Sequence, residues 1–135
     1  MILGIGIDLA EVSRVEQAVQ GKGFFRRIYS DEERAACGPP LWNFPALAQA
    51  FALKEAFLKA LGTGWSRGIS FGEIDTSPLT TTSSPPTDTP IHLKGRAAEV
   101  ARELGMTHIR AGVDHEGDGV MGWVILEADS AARSS

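Results

Sequence analysis

The sequence is short of cysteine, of basic charge and of long apolar runs, and each shortage removes a class of protein. One cysteine, Cys37, among 135 residues cannot close an internal disulfide, and the three histidines are too scattered to join it in a zinc pattern. Cys37 is therefore read as a small core filler, not a nucleophile. The formal charge of −4 argues against a general nucleic-acid binder, which carries a basic excess. No apolar stretch approaches the roughly 20 residues that a bilayer-spanning helix needs, and no basic segment with an apolar signal core opens the chain. The expectation is a cytoplasmic protein that binds neither membrane nor nucleic acid.

What remains is 43% hydrophobic content, enough for one core and too little for two ordinary domains. One domain is expected over residues 1–128, with a frayed tail at 129–135. Met1 to Asp8 is an apolar, β-favouring run whose Gly4 and Gly6 suit a buried strand approached closely by another backbone. Leu9, Val12, Val15, Ala18 and Val19 then fall at helical spacing and predict an amphipathic helix ending near Gly21. Ser30-Asp31-Glu32-Glu33 has the form of a capping box for a short helix that Gly38-Pro39-Pro40 stops.

The clearest helix runs from about Pro45 to Leu61, with Gly62 as its C-terminal cap and Leu47, Phe51 and Leu58 as its core stripe. Ala48, Ala52, Glu55 and Lys59 share another face, which stacks a carboxylate and an ammonium above two small side chains. Ile69 to Asp75 reads as a strand. Residues 77–90 are almost all Ser, Thr and Pro and read as an exposed loop inside the domain. A short strand at Ile91 to Leu93, a helix from Ala97 to Leu104 and a hairpin about Gly117-Asp118-Gly119 follow. Strands and helices do not alternate regularly, so the fold class is α+β, a mainly antiparallel sheet packed with helices.

Gly4-x-Gly6 is not a dinucleotide fingerprint, because Leu9 stands where the third glycine should open a helix. Asp8 at a strand end serves equally as a helix cap or as a ligand. Glu55 with Lys59 on its own is an ordinary helical ion pair.

Taken together, Gly4-Ile5-Gly6-Ile7-Asp8-Leu9 with Glu11, Val12 and Arg14, and Phe51-Ala52-Leu53-Lys54-Glu55-Ala56 with Lys59-Ala60-Leu61-Gly62-Thr63-Gly64, resemble the two signature blocks of the holo-[acyl-carrier-protein] synthases. The Phe24 to Glu33 region and the hairpin around His115-Glu116 are similar too. The resemblance implies transfer of the 4'-phosphopantetheine arm of coenzyme A to a serine of an acyl carrier protein, releasing adenosine 3',5'-bisphosphate. It implies Asp8 and Glu55 as ligands of Mg2+, a hard cation suited to carboxylate oxygens beside a pyrophosphate. Lys59 matches the motif lysine that stabilises charge on the departing phosphate. The serine proton has two candidate acceptors, a metal-bound water or Glu55.

Gly62, Thr63 and Gly64 are expected to let backbone amides approach phosphate or ribose, or simply to cap the helix. His115 matches a family histidine near the nucleotide; its alternative is a satisfied strand histidine. Arg14, Lys22, Arg26 and Arg27 resemble the family's docking surface for an acidic carrier protein. The resemblance also implies a homotrimer with active sites between subunits and both metal ligands from one chain. Four departures stand out: Ala50 replaces an arginine before the Phe-Ala pair, Asp88-Thr89-Pro90 replaces Gly-Lys-Pro, Asp114 replaces a small hydroxyl residue, and Val120-Met121-Gly122 replaces an alanine-rich strand. Each lost charge-assisted contact to coenzyme A is worth about 1.5–3 kcal/mol. The competing readings are a divergent, low-activity carrier-binding or structural paralogue and another Mg2+-dependent phosphoryl enzyme.

Overall fold

Strand β1 (Ile2–Glu11) turns its glycines toward the longest helix, α4 (Phe44–Leu61). A Cβ added at Gly4 would lie 1.9 Å from the carbonyl oxygen of Ala60, and one at Gly6 would lie 1.9 Å from that of Ala56. Helix and strand therefore meet backbone to backbone, a close approach that only glycine permits. The computed structural model describes residues 1–62, 67–81 and 89–129. The expectations placed on Thr63 and Gly64, on residues 82–88 and on the tail beyond Asp129 lie outside them.

Helix α4 begins where the Asn43 side chain accepts the Ala46 N–H and Pro45 occupies the first turn. It ends at Gly62, whose φ of +81° is left-handed. The sheet beneath it has the order β1-β5-β4, all antiparallel, with β4 (His108–Glu116) and β5 (Gly119–Glu127) joined through Gly117 and Asp118. Alternation divides this sheet into two faces. Gly6, Asp8 and Ala10 face α4, beside Val120, Gly122 and Val124 of β5. A Cβ on Gly122 would stand 3.0 Å from the Ala52 backbone, so this face too is shaved to fit the helix.

The other face carries Ile5, Ile7 and Leu9, exposed by 57%, 53% and 72% and paired with Ile125, Trp123 and Met121. The indole of Trp123 lies over Gly112, where a Cβ would come within 2.6 Å of the ring. The expectation that β1 is buried thus holds on one face only, because α4 covers just one side of the sheet.

Helix α1 (Val12–Val19) starts later than Leu9. Leu9 to Glu11 remain extended because they pair with Met121, Val120 and Gly119, and ladder bonding outweighs helical spacing. The helix begins where the hairpin turn supplies its acceptors: Asp118 takes the Val12 N–H on its carbonyl and the Ser13 N–H and hydroxyl on its carboxylate.

Helix α2 (Phe24–Ile28) leads to α3 (Asp31–Cys37), which carries the capping box in full: Ser30 accepts the Glu33 N–H and Glu33 accepts the Ser30 N–H. The strand expected over residues 69–75 is mostly a 3-10 turn at Phe71–Glu73, because Ser70 and Glu73 form a second capping box. Only β2 (Ile74–Asp75) pairs, with β3 (His92–Leu93). The loop expected from Ser77 opens instead as a helical turn, α5 (Ser77–Thr80), since the Leu79 and Thr80 N–H groups find the Thr76 carbonyl. Helix α6 (Gly95–Glu103) completes the domain, and Asp129 still donates its N–H to the Thr107 hydroxyl. Leu47, Leu53, Phe57, Ile74, Val100 and Val124 lie at the centre of the core, while Phe51 is only partly buried and stacks on Phe71.

Candidate metal and phosphate site

Asp8 stands on the helix-facing side of β1, paired across the ladder with Gly122. Its side chain is 17% exposed and accepts a hydrogen bond of 2.5 Å from the Lys59 ammonium. Lys59 projects from α4 one turn after Glu55, so strand and helix bring two carboxylates and one ammonium together. Burial, then the negative charge of Asp8, holds the Glu55 carboxyl above its ordinary range, against the pull of Lys59. The bond to Asp8 raises Lys59, which therefore stays cationic. Two hard oxygen donors, near enough that the charge of Asp8 raises Glu55, are a fitting donor set for a divalent cation.

His115 does not join this group within one chain. It lies on the same face of the sheet but meets Gln49, with 2.5 Å between their Nε2 atoms. Gln49 precedes Glu55 by six residues, about 9 Å along the helix axis. A cleft of about 780 Å3 opens beside His115, between α1, the start of α4 and the hairpin; Arg14, Val15, Phe24 and Phe51 also line it. The cleft therefore adjoins the carboxylates through Leu9 and Ala10 without including them. Gly62 is exposed at the helix end nearest Lys59. Arg14, Lys22, Arg26 and Arg27 are all exposed, and Arg14 pairs loosely with Glu11 at 3.4 Å.

Among the departures, Ala50 is 1% exposed and belongs to the core, whereas Thr89 and Asp114 are exposed. Cys37 is buried, and burial beside Glu33 pushes its thiol up to about 11, which keeps it protonated and inert.

Sequence reasoning missed the second ionic group on α4. Lys54 is fully buried and pairs with buried Glu33 at 2.9 Å, while also donating to the carbonyls of Phe71 and Ile74. Burial lowers the Lys54 ammonium and Glu33 opposes that shift. Beside it, oxygens of Glu32 and Asp75 and a ring nitrogen of His92 lie within 4.8 Å of one another. Lys94 already neutralises Glu32, and Ser30 and Ser77 already satisfy Asp75. The signal for this cluster was present, since Lys54 lies about 100° around the helix from Glu55, off the face that Glu55 and Lys59 share.

Residues 4–116 match the family model of the 4'-phosphopantetheinyl transferase superfamily. With an α+β domain and an acidic pair facing a helix lysine, the chain belongs to that superfamily. Within it, the chain is similar to the holo-[acyl-carrier-protein] synthases. It is 36% identical to that of Desulfovibrio desulfuricans over 130 residues, 95% of this chain and 99% of the relative. The crystal structure of the Neisseria meningitidis enzyme superposes with a TM-score of 0.73 at 29% identity, covering 94% of this chain and 99% of that one. The Helicobacter pylori enzyme, solved in complex with coenzyme A, gives a TM-score of 0.70 at 27% identity over 91% of this chain and 99% of that one. Among the described residues, no helix is long and apolar enough to cross a membrane.

Proposed function

We propose that the chain is a holo-[acyl-carrier-protein] synthase that transfers 4'-phosphopantetheine from coenzyme A to a serine of an apo acyl carrier protein. The observation that carries this reading is the convergence of Asp8 from β1 with Glu55 and Lys59 from α4. Asp8 and Glu55 would hold Mg2+, which supplies charge neutralisation at the pyrophosphate when bound. The serine oxygen attacks the β-phosphorus, its bond to the oxygen bridging to the α-phosphate breaks, and adenosine 3',5'-bisphosphate departs. Lys59, a flexible cation held at the same site, counters the charge on that leaving phosphate. The serine proton has two candidate acceptors, Glu55 and a water held at the metal. Gly62 with Thr63 and Gly64 would admit phosphate or ribose to the backbone.

The reading extends to assembly as a homotrimer. The exposed row Ile5, Ile7 and Leu9 is the kind of apolar surface that a second copy covers. A neighbouring subunit would also supply His115 to the nucleotide, since within one chain His115 meets Gln49 and not the carboxylates. Carrier docking on Arg14, Lys22, Arg26 and Arg27, and residence in the cytoplasm, complete the proposal.

The test is mass spectrometry of an apo carrier protein after incubation with this protein, coenzyme A and Mg2+. A gain of one phosphopantetheine arm is expected with the wild type and none with Asp8→Ala or Glu55→Ala, both still folded. Carrier binding without any gain would instead assign a divergent, inactive paralogue, the reading that Ala50 and Asp114 favour. Light scattering from a stable, active monomer would remove the trimer.

A further inference from the structure

Lys54 is the ionisable group that the proposed chemistry leaves unused. Its ammonium has three protons and three acceptors: Glu33 Oε1 at 2.9 Å, the Phe71 carbonyl at 2.9 Å and the Ile74 carbonyl at 2.5 Å. Glu33 is itself fixed, accepting the Ser30 N–H on one oxygen and the Thr76 N–H and hydroxyl on the other. The sheet side of α4 has its polar contacts at exposed side chains, Lys59 to Asp8 and Gln49 to His115, where water competes for the same groups. Its buried contacts with the sheet are those of Gly6, Gly4 and Gly122 against Ala56, Ala60 and Ala52, which set distance and carry no hydrogen bond between side chains.

We propose that Lys54 is a positioning residue whose three-way anchorage fixes the rotation and height of α4 over β1, holding Glu55 and Lys59 opposite Asp8. The inference rests on the metal and phosphate roles given above to those three residues. Lys54 and Glu55 are adjacent, about 100° apart around the helix, so any turn of the helix at Lys54 swings Glu55 directly. A rotation of about 10° moves side-chain atoms 5–6 Å from the axis by about 1 Å. Displacements of about 1 Å at a reacting centre lower rates by about 100-fold. A buried ion pair gives little stability over a well-packed apolar pair, which leaves directionality as what this one contributes.

The experiment compares Lys54→Met with Val100→Ala, a core substitution on α6, at a temperature where both are fully folded by circular dichroism. Amide hydrogen exchange over residues 52–59, affinity for Mn2+ and transfer kinetics are measured for each. Lys54→Met should exchange about tenfold faster in that segment and bind Mn2+ about tenfold more weakly. Its kcat should fall about 100-fold, with the carrier KM changed less than about twofold. Glu33→Gln, which leaves both carbonyl acceptors, should move every readout the same way by less, and carries the test if Lys54→Met does not fold. Exchange, Mn2+ affinity and kcat indistinguishable from Val100→Ala would overturn the proposal. A wild type that binds no Mn2+ would refute the metal reading alone, and the exchange comparison would still decide the role of Lys54.

Discussion

Lys54 and Lys59 stand on one helix, each bound to a carboxylate from another element, yet water reaches only one of the two pairs. Lys54 and Glu33 are 0% and 1% exposed, whereas Lys59 and Asp8 are 56% and 17% exposed. In the dry pair every proton and lone pair has a fixed partner, so the charges cannot move or exchange and serve structure. In the wet pair the carboxylate keeps free coordination sites and the ammonium a flexible stem. On the proposed function, an incoming cation would displace Lys59 from Asp8, and Lys59 would turn to a phosphate. The same two side-chain types thus become an anchor or a reagent according to how much solvent they retain.

The sharpest way to break this comparison is to truncate each lysine and follow thermal unfolding. Lys54→Ala strands Glu33 as an uncompensated buried charge and should destabilise by about 3–5 kcal/mol. Lys59→Ala should leave the melting temperature close to wild type while lowering transfer. Equal losses of stability from the two would erase the distinction.

Next in size is Gly6→Ala, whose Cβ would meet the Ala56 carbonyl at 1.9 Å. Lifting α4 from β1 should destabilise by about 1–3 kcal/mol. Mg2+ affinity should fall with it, because Asp8 and Glu55 lie on the two parted surfaces. Chemical denaturation and Mn2+ titration of this variant measure both effects.

A smaller effect is expected from Glu55→Gln in metal-free protein. The folded state holds the Glu55 proton more tightly than the unfolded chain, because its carboxyl is raised by burial and by Asp8. Relative to the glutamine variant, wild-type stability is therefore full below the ordinary glutamate value and falls as pH rises through the raised one. Glu55→Gln should melt higher than wild type near neutral pH, with the gain vanishing in acid. A gain independent of pH would contradict the assigned electrostatics.

The least effect on stability belongs to Arg14→Glu with Arg27→Glu, both exposed. Melting should be unchanged, while the carrier KM rises and loses salt dependence and coenzyme A binding holds. Carrier kinetics at low salt indifferent to both reversals would move the docking face elsewhere.

Much of this molecule was legible in its residues. Asn43, Pro45 and Gly62 bound α4, Ser30 and Glu33 cap α3, and Gly117-Asp118 turns the hairpin, because caps and turns are satisfied by groups a few residues apart. The glycines of β1 announced a close backbone, whereas Asp8, Glu55 and Lys59 were singled out by resemblance to the family's motifs and not by their spacing alone. The rest depended on partners distant in the chain. Pairing with β5 kept Leu9 to Glu11 extended against their helical pattern, and Asp118, across the fold, set the start of α1. Glu33 read as a cap and proved to be the counter-charge of Lys54, a bond between α3 and α4 that no local pattern encodes. Sequence determined which groups could bind metal and phosphate, because that is the chemistry of the side chains. Tertiary structure alone decided which lysine is buried with every proton satisfied and which stays in water, because solvent access belongs to the packed chain.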